Sequence, residues 1–309
     1  MDINNFLNLK DQSAGGWSMK KNKTIRDLIH HMQSELKDVY PQRELNSLVE
    51  IVLTGITHLK KRHHLHIYQD QTPDPEHIRQ IKDITKQLKS GKPIQQILGE
   101  TQFYELTIKT SPAALIPRQE TEELVDWMIS DLKGTRARIL DIGTGTGCIA
   151  IALACHLKNA GVHGLDVSPQ ILDLARENAH LNGVEIRFLL ADIFKAPPPE
   201  IQPGEDSYQV IVSNPPYVRE SEKNRMHPNV LKYEPGQALF VSDQDPLIYY
   251  RKILEFAEDH LEHQGLIWFE INEAFGRQMI SLLEAKDYQN IQLRKDINDK
   301  DRMIKAQKP

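Results

Sequence analysis

The stretch RILDIGTGTGC, residues 138–148, decides the fold of this chain of 309 residues. Its first half, Arg138–Ile142, is a short apolar run that is typical of a buried strand. In its second half, glycines at 143, 145 and 147 let the backbone turn tightly and approach a ligand, and the helix that follows offers free N–H donors. The third glycine comes one position earlier than in the dinucleotide fingerprint. The stretch therefore predicts a strand, a turn suited to a ligand, and a helix.

Strands and helices alternate on the C-terminal side of this turn. Short apolar runs predict strands, and periodic apolar residues predict helices between them. This alternation indicates an α/β domain with a mostly parallel sheet. The predicted helices are 149–156, 169–182 and 246–263, the last one stopped by Gly265, and the predicted strands are 162–166, 186–191, 209–213 and 266–271.

Acidic residues end the next two predicted strands. Asp166 lies 19 residues after Gly147, and Asp192 follows the strand after that. Ligands bind outside the carboxyl ends of such a sheet. For a nucleoside ligand there, Asp166 can accept hydrogen bonds from the ribose hydroxyls. Asp192 can accept from an exocyclic amine of the base, with Ile193 or Phe194 against the base.

Taken singly, the glycine turn is also compatible with a turn that binds nothing, and each Asp with a helix cap. Together the three strand ends resemble the Rossmann-like methyltransferases that use S-adenosylmethionine (AdoMet). That resemblance implies a cofactor site made by Gly143, Thr144, Gly145, Thr146, Gly147, Asp166, Asp192, Ile193 and Asn214.

The sequence SNPPY, residues 213–217, follows the predicted strand 209–213. Two consecutive prolines restrict the backbone after Asn214 and contribute no N–H groups. Asn214 and Pro215 offer carbonyl acceptors and Tyr217 an aromatic face, which together suit a planar group that bears an NH2. A Pro-Pro turn with a packing Tyr is the alternative. We predict methyl transfer to an amide or aromatic amine, which needs mainly alignment and preorganised acceptors. The expected catalytic residues are Asn214, Pro215 and Tyr217, and the expected substrate-binding residues are the same three with Pro216.

Further stretches resemble the release factor glutamine methyltransferases, the HemK/PrmC family of protein N5-glutamine methyltransferases. The similarity runs from about Thr24 to Gln307. It departs from the family at Gln119 (usually Pro), at Asn272 (usually Gly) and in 296–299, which lacks a Gly. The resemblance implies an AdoMet-dependent enzyme that methylates the glutamine of the Gly-Gly-Gln loop of class 1 peptide chain release factors. It rests on ILGE with FY in 97–104, LIPRQETE in 115–122, DIGTGTG in 141–147, SNPPY in 213–217, EP with ALF in 234–240, and Asp301-Arg302.

The charge divides the chain near Gly91. Residues 20–91 contain 13 Lys and Arg against 9 Asp and Glu, a balance of +4, whereas residues 92–309 contain 24 against 32, a balance of −8. Three apolar stripes in the first part predict helices, the first capped by Thr24 and including Val39 on its apolar face. We expect a disordered leader or a remnant of a cloning vector in 1–19, a helical domain that binds the protein substrate in 20–91, a linker hairpin in 92–116, and the methyltransferase domain in 117–309.

Two local features complete the predictions. Residues 101–110 alternate and predict a strand, with a hairpin turn around Ser111-Pro112. The His-rich segment 58–66 has no acidic or Cys partners in a ligand spacing, so we interpret it as surface and expect no metal. The cluster Lys60–His64 is predicted as a solvated loop, with a docking patch as the alternative.

The composition excludes several classes of protein. A pI near 6.2 argues against nucleic acid held by bulk charge, and no apolar run reaches the roughly 18 residues that span a bilayer. Two cysteines exclude a disulfide scaffold and a four-cysteine zinc site. We expect a cytoplasmic enzyme whose partners are release factors, with no membrane partner and no stable nucleic-acid binding.

Two other functions stay open. A nucleic-acid methyltransferase that acts on adenine N6 or guanine N2 shares the Asn-Pro-Pro-aromatic motif, because an exocyclic amine poses the same chemical problem. The acidic catalytic half and the short helical domain argue against it. A non-catalytic AdoMet-binding module is the second alternative, and the intact Asn214 and Tyr217 argue against that one.

Overall fold

The computed structural model describes residues 24–57, 69–196 and 207–309. The chain divides into two compact units, with the boundary between Lys89 and Ser90. Three sets of predictions lie outside the described residues: those for 1–19, for the His-rich segment 58–66 and for the cluster Lys60–His64.

Helices make up the described part of the first unit, as predicted. Thr24 caps the first of them in a reciprocal capping box, in which its hydroxyl accepts from the Asp27 backbone and the Asp27 carboxylate accepts from Thr24 N at 3.0 Å. Val39 was wrongly placed on the apolar face, because the helix ends before it and 41% of Val39 is exposed. The helices are α1 (Ile25–Leu36), α2 (Gln42–Thr57) and α3 (Pro75–Lys89).

A hairpin occupies residues 100–109, where one strand over 101–110 was predicted. Its turn is made by Tyr104 and Glu105, whose φ angles are 47° and 63°. The turn predicted at Ser111-Pro112 is therefore wrong. Sequence reasoning missed the true turn because neither Tyr nor Glu is a residue type that favours the left-handed region. The elements are the short helix α4 (Ile94–Leu98) and the antiparallel strands β1 (Glu100–Phe103) and β2 (Leu106–Lys109).

Seven strands of the second unit form one mostly parallel sheet among the described residues, which confirms the predicted α/β architecture. The strands that follow the hairpin, seven in this sheet and two in a separate pair, are β3 (Arg138–Ile142), β4 (Gly161–Asp166), β5 (Arg187–Leu190), β6 (Tyr208–Ser213), β7 (Val218–Arg219), β8 (Phe240–Val241), β9 (Leu261–Glu270), β10 (Gln289–Lys295) and β11 (Asp301–Gln307). The order in the sheet is β10-β11-β9-β6-β3-β4-β5. The run from β9 to β5 is parallel and β11 and β10 are antiparallel to it, while β7 and β8 pair separately.

Helices cover both faces of this sheet. Alternate residues of a strand point to opposite faces, so each strand packs against helices on both sides. Val210 and Val212 of β6 pack in the cluster that contains Trp127 and Leu153, whereas Ile211 packs with Tyr250 on the other face. The helices of the unit that follow the hairpin are α5 (Gln119–Leu132), α6 (Cys148–His156), α7 (Pro169–Leu181), α8 (Pro228–Tyr233), α9 (Ile248–His260) and α10 (Gly276–Glu284).

The boundary between α9 and β9 differs from the prediction. The helix ends at His260 and the strand begins at Leu261, so Gly265 lies inside the strand and does not stop the helix. β9 bulges here, with Gln264 at a φ of 59°. A Cβ on Gly265 would lie 2.7 Å from the carbonyl oxygen of Glu262, so the bulge requires glycine. Within the described residues, no helix has both the length and the apolar character that a membrane span needs.

Candidate active site

A cavity of about 400 Å³ lies at the carboxyl ends of the parallel strands β3, β4, β5 and β6. This volume is within the range of roughly 300–1,000 Å³ that is typical of small-molecule sites. β4 and β5 lie on one side of β3 and β6 on the other, and open α/β sheets bind ligands at such a switch point. The predicted site residues that line this cavity are Gly143, Gly145, Asp166, Asp192, Ile193, Asn214, Pro215 and Pro216.

Gly143 and Gly145 form the part of the cavity wall that follows β3. Their φ angles are 72° and 56°, in a region that residues with side chains rarely adopt. Among the described residues, no atom outside Ile142, Gly143 and Thr144 lies within 4 Å of the place that a Cβ of Gly143 would occupy. The N–H groups of Gly143 and Thr144 donate to the Leu165 carbonyl at 2.8 and 2.9 Å, which ties the turn to β4. The turn thus presents bare backbone to the cavity.

Three other predicted cofactor residues support this turn and are absent from the cavity lining. Thr144 and Thr146 are buried, and the Thr144 hydroxyl donates to Asp141 Oδ2 at 2.6 Å. Burial raises the pKa of the Asp141 carboxyl to about 7, against the opposing effect of the Thr144 hydrogen bond. A Cβ on Gly147 would lie 3.3 Å from that of Ala175, so close packing of α6 against α7 requires the glycine. These residues fix the shape of the turn from behind.

Asp166 ends β4 and faces the cavity. Its Oδ2 accepts from Gly145 N at 3.1 Å and its Oδ1 accepts from Ser168 N at 3.0 Å. Burial raises the pKa of this carboxyl, and the backbone donors oppose that rise. An ionised carboxylate offers about four lone-pair sites, so these two bonds leave room for further donors. Asp166 is therefore locked to the glycine turn and still able to bind a pair of hydroxyls.

Asp192 follows β5 at the next strand end. Its Oδ1 accepts from Phe194 N at 3.0 Å, a bond that lowers the pKa of the carboxyl, and Lys195 Nζ lies 3.2 Å from its Oδ2. The ring of Phe194 meets that of Tyr249 edge-on, with centroids 5.1 Å apart. Ile193, Phe194 and Tyr249 all line the cavity here. This side of the cavity is apolar with one acidic group, which suits a flat base that bears an amine.

Asn214 is tied to a buried polar cluster at the ends of β6 and β9. Its Nδ2 donates to Thr121 Oγ1 at 3.1 Å, and the Thr121 hydroxyl donates to Glu270 Oε2 at 2.6 Å. The Tyr217 hydroxyl donates to the other oxygen, Oε1, at 2.8 Å. Burial raises the pKa of the Glu270 carboxyl, and these two bonds and the positive charge of Arg302 oppose the rise. Glu270 therefore bonds Tyr217 directly and is linked to Asn214 through the Thr121 hydroxyl.

Tyr217 is not among the residues that line the cavity. Burial raises the pKa of its phenol well above the ordinary value. The backbone carbonyl of Tyr217 accepts from Asn272 Nδ2 at 3.2 Å, and the same amide donates to Glu222 Oε2 at 3.0 Å. Asn272, which stands where the family usually has Gly, is thus bonded to the backbone of the SNPPY segment.

An ion pair joins two more segments of the cavity wall. Arg118 Nη2 lies 2.7 and 2.8 Å from the two carboxylate oxygens of the buried Glu234, which also accepts from Ile116 N at 3.3 Å. The stretch before Arg118 contributes residues 113–115 to the wall, and the stretch after Glu234 contributes Pro235, Gln237 and Ala238. The ion pair fixes these two stretches to each other.

Sequence analysis missed Thr121 and Glu270 as site residues. Glu270 carried a usable signal, because it is an acid at the end of an apolar strand, as Asp166 is. Thr121 carried none, since it lies 149 residues from the carboxylate that it bonds. No group of three or more His, Cys, Asp or Glu within residues 24–57, 69–196 and 207–309 could hold a metal ion. Further lining residues that were not predicted are Ala113, Ala114, Leu115, Val167, Ser168, Ile171, Pro235, Gln237, Ala238, Tyr249 and Ile253.

Comparison with known proteins agrees with this architecture. Residues 117–233 match the family model of the methyltransferase small domain. The chain is 45% identical to the release factor glutamine methyltransferase of Flavobacterium psychrophilum, over 88% of this chain and 94% of that protein. It is 39% identical to the protein of that name from Bacteroides thetaiotaomicron, over 89% and 97%. For the one from Lactococcus lactis the identity is 36%, over 83% and 92%.

Among solved structures, the catalytic domain of hMettl16 in complex with the MAT2A 3'UTR hairpin 1 is similar with a TM-score of 0.51. The match covers 78% of this chain and 84% of that one, at 15% identity. A second complex of that domain, with hairpin 6, gives a TM-score of 0.50 at 16% identity, over 75% and 81%. This likeness shows the shared fold alone.

Proposed function

This chain belongs to the family of release factor glutamine methyltransferases, and we propose that it transfers the methyl group of AdoMet to the side-chain nitrogen of a glutamine in a class 1 peptide chain release factor. The observation that carries the proposal is that Asn214 lines the same cavity as Gly143 and Asp166. An amide-binding group and a cofactor-binding group thus share one space.

The residues of the cavity fit AdoMet. The bare backbone of Gly143 and Gly145 admits close approach, and the carboxylate of Asp166 has the free lone pairs that the two ribose hydroxyls need. Ile193 and Tyr249 offer the apolar wall for the adenine, with Asp192 to accept from its amine. When bound, AdoMet supplies a methyl group on a positively charged sulfur, which is a strong electrophile.

Asn214 and Pro215 are proposed to hold the acceptor. An amide nitrogen is a poor nucleophile because its lone pair is delocalised into the carbonyl. The Asn214 side-chain carbonyl and the Pro215 backbone carbonyl would accept the two amide hydrogens of the glutamine, which would turn the nitrogen lone pair toward the AdoMet methyl group. As the bond between nitrogen and the methyl group forms, the bond from the methyl group to sulfur breaks, S-adenosylhomocysteine is released, and one of the two nitrogen protons passes to solvent. The contribution of this chain is therefore alignment and two preorganised acceptors.

We further propose that the glutamine lies in the Gly-Gly-Gln loop of the release factor. The cavity is bounded by residues 113–115 and by Pro235, Gln237 and Ala238, which the pair Arg118 and Glu234 fixes in place. A glutamine that follows two glycines brings no neighbouring side chain to this rim. The helical unit, whose sequence range 20–91 has a balance of +4, is proposed to grip the body of the release factor.

The test is mass spectrometry of a class 1 release factor after incubation with the enzyme and AdoMet. We expect one added methyl group on the loop glutamine. A release factor in which alanine replaces that glutamine is the matched control, and it should stay unmodified. Modification of another residue would contradict the loop assignment, and transfer to RNA or DNA at a comparable rate would favour an exocyclic amine as the acceptor.

A further inference from the structure

Glu270 is bonded to Tyr217 directly and to Asn214 through Thr121. It is 1% exposed, and its partner Thr121 is 2% exposed. Glu270 Oε2 accepts from the Thr121 hydroxyl at 2.6 Å and Oε1 accepts from the Tyr217 hydroxyl at 2.8 Å. Neither Glu270 nor Thr121 lines the cavity, so any effect on a substrate passes through other residues.

The donors and acceptors of this cluster permit one arrangement while Glu270 is ionised. A carboxylate accepts only, and a threonine hydroxyl has a single proton. The Thr121 hydroxyl donates that proton to Glu270, so Thr121 Oγ1 can only accept from Asn214. It therefore bonds the NH2 group of the Asn214 amide, with Nδ2 at 3.1 Å. If the amide were turned over, the Asn214 carbonyl would face another acceptor. The Asn214 carbonyl is therefore kept available on the cavity side.

Arg302 supplies the positive charge that favours the ionised carboxylate. Its Nη1 donates to the Ile271 carbonyl at 3.3 Å and its Nε to Asp296 Oδ2 at 3.1 Å, which holds the guanidinium beside the end of β9. Its charge acts on both Glu270 and Tyr217.

We propose that Glu270 and Thr121 are positioning residues of the methyl transfer: through the Thr121 hydroxyl, Glu270 sets the orientation of the Asn214 amide, and it fixes Tyr217 directly. The inference rests on the proposed function, because it gives Asn214 the role of amide acceptor. It adds a reason why a segment made of carbonyl acceptors needs a buried carboxylate behind it.

Thr121→Val is the first test, because it removes the hydroxyl and keeps nearly the same volume. Without that acceptor, either the NH2 group or the carbonyl of the Asn214 side chain can turn toward the cavity. We expect kcat to fall by about 10²-fold, the loss that a small misplacement of a reacting group can cause. The KM for the release factor and the Kd for AdoMet should stay unchanged. Thr121→Ser restores the hydroxyl and should restore most of kcat.

Glu270→Gln tests the carboxylate. A glutamine amide must donate to one of its two neighbours, so it reverses either the bond to Thr121 or the bond to Tyr217. We expect a loss of kcat comparable to that of Thr121→Val, again at unchanged AdoMet affinity. Thr85→Val is the matched control, because Thr85 is similarly buried in α3 and its hydroxyl donates within its own helix, at 2.6 Å to the Ile81 carbonyl.

The measurements are single-turnover methylation of a release factor, AdoMet binding by calorimetry, and thermal unfolding to establish that each variant is folded. A Thr121→Val enzyme that keeps the wild-type kcat would overturn the inference and leave the proposed function intact. So would a Thr121→Ser enzyme as slow as Thr121→Val. A wild type that binds AdoMet and methylates no release factor would overturn the proposed function and, with it, the inference.

Discussion

The side-chain amide of Asn272 donates to the backbone carbonyl of Tyr217 at 3.2 Å and to Glu222 Oε2 at 3.0 Å. Glu222 also accepts from Arg219 N at 2.9 Å, so one buried asparagine links the end of β9 to the strand that follows the SNPPY segment. A glycine, which the resembling family has here, offers no such bond. Asn272 is therefore a feature of this chain that bears on the acceptor site.

Replacement of Asn272 by alanine should loosen this link. Because the partly buried Tyr217 carbonyl and Glu222 carboxylate each lose a donor, we expect the free energy of unfolding to fall by about 1–3 kcal/mol. We also expect slower methyl transfer at unchanged AdoMet affinity. Asn182→Ala is the matched control, since Asn182 donates to the carbonyls of Thr107 and Asn178, at 2.9 Å each. If the two variants transfer the methyl group at equal rates, Asn272 has no specific effect on methyl transfer.

Asp166→Ala should weaken AdoMet binding. It removes the proposed partner of two ribose hydroxyls, and a charge-assisted contact of this kind contributes roughly 1.5–3 kcal/mol. Calorimetry should show the affinity falling about ten- to a hundredfold. Asp173→Ala, which removes an exposed carboxylate on α7 that pairs with Arg176 at 2.7 Å, should leave the affinity unchanged. Unchanged affinity in the Asp166 variant would place the ribose elsewhere.

Asn214→Ala should lower the methyl-transfer rate far more than AdoMet affinity. It deletes one amide acceptor and leaves the glycine turn intact, and loss of one preorganised polar group raises a barrier by roughly 2.7–4 kcal/mol. Asn214→Asp keeps an acceptor and adds a negative charge, so we expect partial activity. Single-turnover rates set against AdoMet affinities give the comparison. If the alanine variant turns over like the wild type, only the Pro215 carbonyl is left as the acceptor.

The buried Asp141 predicts a defined pH dependence of stability. Burial raises its pKa from the ordinary 3.8 to about 7, so the folded protein keeps a proton that the unfolded chain releases. The stabilising contribution of the protonated group is complete below pH 4 and is lost as the pH rises to about 7, a change on the order of 4 kcal/mol.

Asp141→Asn removes this titration. Chemical denaturation at pH 4 and pH 7 should therefore show the wild type losing stability relative to the variant as the pH rises. Subtracting the two proteins cancels the other titrating groups. A difference between wild type and Asp141→Asn that does not vary with pH would mean that the carboxyl is ionised in the folded state throughout.

A shortened chain that starts at Ser90 tests the role of the helical unit. Residues 90–309 form one of the two compact units, so the shortened chain keeps that whole unit. We expect this chain to bind AdoMet with the affinity of the full protein and to methylate an intact release factor poorly, with a raised KM. A short peptide that carries Gly-Gly-Gln should be methylated equally by both proteins. Full activity of the shortened chain on the intact release factor would show that the helical unit is not needed to bind the release factor.

Local sequence rules found the parts of the site that lie at strand ends. Asp166 and Asp192 were predictable because the carboxyl ends of parallel strands meet at one edge of a sheet. Thr121 was not, because its role comes from a contact with Glu270, which only the folded chain brings near. The turn at Tyr104 and Glu105 was missed for another reason, since tertiary packing there imposes a backbone conformation that neither residue type prefers.

The place of β11 in the sheet has a consequence for biosynthesis. β11 lies between β9 and β10 although it follows both in the chain. On the ribosome, β3 to β6 emerge early and have their partners at hand, whereas one edge of β9 stays open until β11 arrives, and an open strand edge favours association with other chains. Arg302, the counter-charge of Glu270, arrives with that strand. A nascent chain can therefore assemble the glycine turn before it has a complete acceptor site, and in the interval β9 presents an open strand edge.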